Sequence, residues 1–165
     1  MPVLTFVESS NGKIKKNGFE LASYSCELAK LLDTDVVALT INVEDVNELS
    51  NYGIKKIIKV NNESLNKFSA SSFANIISKV ANQTNSNHLV LSSSLDSKYL
   101  APLLAAEINA AYVNNVIGLP TNLDPFTVKR TAFTNKAFSD SSVISDKIII
   151  GLSNNSFGLV ENSVD

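Results

Sequence analysis

Few side chains in this sequence are equipped for chemistry, and their spacing limits what they can do. Glu8 directly follows the apolar run Val3 to Val7 and leads into Ser9-Ser10-Asn11-Gly12-Lys13. A later apolar run ends in Ser92-Ser93-Ser94-Leu95-Asp96-Ser97-Lys98, where the pattern of a helix containing Leu100, Pro102, Leu104 and Ile108 begins. Hydroxyls together with helix-start amides can hold a carboxylate or phosphate at the carboxyl edge of a sheet. The plainer expectation is that Ser97 caps the helix and Pro102 sits in its first turns. Glu8 occupies the corresponding edge after the first strand. With no partner acid or base in sight, a structural hydrogen-bonding or interface role is expected for it.

Nucleophilic and metal chemistry find little support. His88 and Ser92 lie four residues apart on one strand, about 13 Å, too far for a serine and its base to touch. One His and one Cys, Cys26, exclude both an internal disulfide and a Cys/His zinc set. Cys26 falls on a helical apolar stripe and is read as a core thiol. The six glycines, at 12, 18, 53, 118, 151 and 158, form neither GxGxxG nor GxxxxGK[ST]. A small enzyme assembled from Glu8, Ser94 and Lys98 would lack a paired acid and base.

Charge narrows the partners. Net charge is −2, and thirteen of the fourteen basic residues are Lys, with Arg130 the single Arg. That leaves no basic field for nucleic acid and no cluster of guanidinium forks for phosphates. Apolar residues at 44% and charged residues at 18% describe a folded chain, and 165 residues suit one domain. No apolar run approaches the ~18 residues of a membrane helix, and the first residues lack a basic leader or cleavage site. A soluble cytoplasmic protein without membrane insertion is the expectation.

The elements that must position these residues alternate. Val3 to Val7, Val36 to Ile41, Ile57 to Val60 and Leu89 to Ser92 are near-continuous apolar runs, as strands covered on both faces require. Between the first two, Asn17 and Glu20 have capping-box spacing ahead of Leu21, Ala22, Cys26, Leu28, Ala29 and Leu32. Val46 and Leu49 mark a short helix that Gly53 should close in the left-handed region. Phe73, Ile76, Ile77, Val80 and Ala81 follow helical spacing. This alternation predicts an α/β fold with a doubly wound, mostly parallel sheet. Beyond residue 109, Tyr112 to Ile117, Val128 to Phe133 and Lys147 to Leu152 read as strands without intervening helices, so antiparallel members are expected there. Thr134-Asn135 suits a tight hairpin turn. Residues 1–152 form the domain, and the aperiodic stretch 153–165 reads as a linker.

Several segments, in order along nearly the whole chain, resemble the N-terminal domain of the electron-transfer flavoprotein alpha subunit. Val3 to Glu8 followed by Asn11-Gly12-Lys13-Ile14-Lys15-Lys16 resembles its first strand and the continuation after it. Ser94 to Pro102, Lys129 to Phe133 with Lys136-Ala137, and Asn155-Ser156-Phe157 resemble later segments. Ser97 stands where the family usually has Gly, Tyr99 where it has an acid, Leu103 where it has Arg and Asn115 where it has Asp. Ser153-Asn154 replaces an Arg-Pro pair. The resemblance implies a Rossmann-like fold of the adenine nucleotide alpha hydrolase type. It also implies FAD in the complete protein, held chiefly by a C-terminal domain beyond this chain, with none bound here and AMP possible in the partner. A beta subunit, flavoprotein dehydrogenases and a quinone reductase are the implied partners. Arg130, Lys98 and Lys136, with Glu8, are the interface candidates. The competing expectation is a stand-alone nucleotide-binding protein of the universal-stress type, which the scattered glycines disfavour.

Overall fold

A computed structural model describes residues 1–163. Its centre is a sheet with the order β10-β9-β7-β11-β6-β1-β4-β5, and β8 pairs with β9 beside this path. β1 (Val3–Val7), β4 (Val36–Ile41), β6 (His88–Ser92) and β11 (Ile148–Leu152) form its middle, with β5 (Lys56–Val60) and β7 (Ala111–Val116) outside them. All six run parallel. Every residue of β1, β4 and β11 is buried, which explains why these strands read as unbroken apolar runs rather than alternating ones.

Helix α1 (Asn17–Leu31) packs on one face of the sheet. α2 (Ala70–Thr84) and α3 (Leu95–Ile108) lie together on the other. Two apolar clusters follow, one joining Leu21, Leu28 and Val90, the other joining Phe6, Ile77 and Leu104. A 3-10 turn over Asn47–Tyr52 carries Leu49 into the first cluster and ends at Gly53 with φ 91°, in the expected left-handed conformation. α1 starts close against the sheet: a Cβ at Gly18 would come within 2.7 Å of Val7 and 2.8 Å of Ile14. Only glycine lets the helix approach so closely.

Beyond residue 109 the sheet gains the antiparallel members expected there, β8 (Asn122–Leu123), β9 (Phe126–Ala132) and β10 (Ala137–Val143), while β7 and β11 join its parallel part. The structure departs from the sequence reading in two respects. β10 was not legible because it is an edge strand exposed on most of its length, with no apolar face to pattern Ser139-Asp140-Ser141-Ser142. The β9–β10 connection spans Phe133 to Lys136, not two residues, and Phe133, Thr134 and Asn135 all have positive φ. Without glycine the chain distributes the reversal over three left-handed residues.

The capping box at Asn17 and Glu20 does not form. Lys16, itself helical at φ −53° and ψ −36°, precedes α1 without a side-chain cap. Glu20 instead accepts the backbone N–H groups of Asn155, Phe157 and Gly158 at 2.8, 2.8 and 3.0 Å. Ser23 accepts that of Val160 at 3.0 Å, and Phe157 packs edge-on against Tyr24. The stretch after β11 therefore has no helix or strand through residue 163, yet it is strapped along α1. That strap is why Glu20, Ser23 and Tyr24 are buried together with the apolar stripe of the helix.

Candidate functional site

β1 lies between β4 and β6. The chain leaves β1 toward β4 and β5, then crosses to β6 on the other side, so the strand order reverses at β1/β6. In open α/β sheets the crevice at the carboxyl ends of such a pair is where ligands sit. Glu8 and Ser92 stand at this point, at the ends of β1 and β6.

Glu8 is buried, and its Oε1 accepts three hydroxyls: Ser92 at 2.7 Å, Ser94 at 2.5 Å and Ser97 at 2.6 Å. Lys15 Nζ donates to Oε2 at 2.9 Å and lies 3.9 Å from Asp96. The route of Lys15 is local. Asn11 and Gly12 both have positive φ, turning the short strands β2 (Ser9–Ser10) and β3 (Lys13–Ile14) into a hairpin. An Asn-Gly pair is the strongest short-range signal for this turn, and its consequence is that Lys15 returns beside Glu8, with Lys15 N–H bonded to the Glu8 carbonyl at 3.0 Å.

Burial alone would raise the Glu8 pKa. The hydroxyls of Ser94, Ser97 and Ser92 and the Lys15 ammonium together outweigh it and hold the carboxyl below its ordinary value. A carboxylate so stabilised is a weak base, so Glu8 is poorly suited to take a proton from a serine. His88, whose pKa burial lowers, sits at the opposite end of β6 against Phe126. Ser94, not Ser97, caps α3, accepting Ser97 N–H at 3.1 Å. Ser97 is released from capping to bind Glu8. Pro102 lies inside α3, beyond its first turn.

Beside this network a cavity of about 540 Å³ opens at the ends of β1 and β4. Phe6, Phe68 and Phe73 line its apolar part, and Glu44, Asp96 and Lys15 its polar part. The other candidates are dispersed. Lys98 is exposed on α3, and Lys136 is exposed at the β9–β10 turn. Arg130 is half-buried on β9, opposite Val116, and its Nε is buried without a hydrogen-bond partner, as is Thr131 Oγ1 beside it. The structure thus brings together Glu8 and Ser94, and leaves Lys98, Lys136 and Arg130 outside their network. Sequence reasoning missed Lys15, Ser92 and Ser97 as partners of Glu8. Among the described residues no group of three or more His, Cys, Asp or Glu is placed to hold a metal.

These features define a class: a doubly wound α/β domain whose β1/β6 edge carries a buried carboxylate bonded to three serine hydroxyls and a lysine. Residues 3–163 match the family model for the electron transfer flavoprotein domain, and the chain belongs to that family. It is 24% identical over 125 residues to the electron transfer flavoprotein subunit alpha of Clostridium acetobutylicum, covering 74% of this chain and 37% of that protein. It is 25% identical over 109 residues to Protein FixB of Clostridium saccharobutylicum, covering 65% of this chain and 33% of that protein. Against the electron transfer flavoprotein subunit alpha of Bacillus subtilis it is 22% identical over 139 residues, covering 82% and 42%. The chain therefore spans only about a third to two fifths of these curated relatives. No described helix is long and apolar enough to cross a membrane.

The edge residues do not suit a flavin or nucleotide phosphate. Glu8, Glu44 and Asp96 give the cavity three carboxylates, and the Lys15 ammonium is engaged with Glu8. A phosphate would meet like charge at close range.

Proposed function

We propose that this chain is the N-terminal scaffold and subunit-docking domain of an electron-transfer flavoprotein alpha subunit. In this reading it is a rigid platform and not a catalyst. The complete heterodimer, with a beta subunit, carries electrons on FAD from flavoprotein dehydrogenases to a quinone reductase. FAD belongs chiefly to an alpha-subunit segment beyond residue 165, and AMP, where present, to the beta subunit.

The observation that carries this reading is the match of residues 3–163 to the family, together with relatives named as alpha subunits of which the match covers 37% and 42%. Arg130, half-buried on β9, is proposed to serve docking on the β9–β10 side. Lys136, exposed at the β9–β10 turn, and Lys98, exposed on α3, are proposed as separate interface charges, while buried Glu8 fastens the loops at the ends of β1 and β6.

The test is an absorption spectrum of the purified chain, alone and after co-expression with a beta subunit and the remaining alpha segment. The expected result is no flavin absorbance alone and one FAD per assembled heterodimer. Stoichiometric FAD on this chain by itself would overturn the division of labour. Tight ATP binding in calorimetry would favour a nucleotide-binding protein of the universal-stress type instead.

A further inference from the structure

We propose that the Glu8 carboxylate occupies a ready-made anion site, so that the β1/β6 crevice carries its own internal ligand and is closed to free anions. Two stretches of chain, 8–15 and 92–97, form this arrangement. Glu8 comes from the end of β1, Ser92 from the end of β6, Ser94 and Ser97 from the start of α3, and Lys15 from the segment after the β2–β3 hairpin. Their hydroxyls converge on one carboxylate oxygen at 2.5–2.7 Å, and the ammonium takes the other at 2.9 Å.

This is not an ordinary helix-end contact. The N–H groups of Ser97 and Lys98 go to the Ser94 side chain and carbonyl, so side chains hold the charge. Charge-assisted donors converging on two oxygens are what recognition of a free carboxylate requires. The location is the one where open sheets take ligands from solution. Here the ligand is covalently part of the chain and buried, with only 5% of Glu8 exposed. An incoming carboxylate or phosphate would have to displace it, past Asp96 and Glu44.

Supplying the missing group from solution tests this. E8A deletes the carboxymethyl portion of the side chain and leaves a gap of the size and charge preference of acetate. Sodium acetate is expected to raise the thermal midpoint of E8A above that in sodium chloride of equal ionic strength and pH. At about ten times its dissociation constant, acetate should shift the folding equilibrium on the order of tenfold. The parent protein should show no difference between the two salts. E8Q fills the same space without charge, and is expected to be less stable than the parent and to gain nothing from acetate. An E8A chain no more stable in acetate than in chloride would overturn the proposal, as would equal acetate responses in all three proteins. An E8Q chain as stable as the parent would overturn it independently, because the place would then need no charge.

Discussion

At the scale of single residues, Glu8 sets how the protein should respond to acid. Its pKa in the folded chain lies below the ordinary 4.5, so folding favours the carboxylate. Such a group contributes stability above its unfolded pKa, and the contribution fades as pH falls toward the folded value. The charged groups facing it are Lys15 and, beyond Lys15, Asp96. Between about pH 5 and 3 the thermal midpoint of the parent should fall more steeply than that of Glu8→Gln, which has no proton to take up there. His88 is common to both proteins and cancels in the comparison. Parallel curves from thermal melts across this range would contradict the assignment. Position alone marked Glu8 in the sequence, because an acid ending a buried strand is conspicuous. Its serine partners lie more than 80 residues away, and proximity at that separation is a product of topology that no local pattern encodes. Lys15 differs, since the Asn11-Gly12 turn carried the information that would have placed it.

Among the elements, α1 and the segment after β11 form one unit. Glu20 satisfies three backbone donors of that segment, so Glu20→Ala leaves Asn155, Phe157 and Gly158 without an acceptor. The three bonds are part-buried and their acceptor is charged, so losing them costs about 1–3 kcal/mol. The loss should be local: amide exchange at 155, 157 and 158 is expected to accelerate well beyond the change at β1 and β6, where exchange requires global opening. Equal acceleration everywhere would mean that the strap has no independent stability. The apolar stripe of α1 was legible because its spacing follows the helix period. The strap was not, because Glu20 and Asn17 have the spacing of a local cap and the polar stretch 153–163 has none. The competition went to the distant backbone, which offers Glu20 three donors.

For the whole molecule, the decisive feature is that the last strand in the chain lies in the middle of the sheet. β11 is inserted between β6 and β7, with Ile148 in register with both His88 and Ala111. The run Ile148-Ile149-Ile150 signalled a strand buried on both faces, but consecutive elements usually neighbour each other, and this one bypasses β9 and β10 to reach its place. Assembly therefore waits on residues 147–152. β11 buries Ile148, Ile149, Ile150 and Leu152, each worth about 1.5–3 kcal/mol. Together these rival the ~5–15 kcal/mol by which a whole domain is stable. A chain ending at residue 146 should thus fail to fold, with amides of β1 and β6 unprotected against exchange. A chain ending at residue 152 keeps the sheet whole and loses only the strap, so it should fold cooperatively with a lowered thermal midpoint. Native-like protection of β1 and β6 in the shorter chain would show that the sheet closes without its central strand, and would refute this account of what holds the platform together.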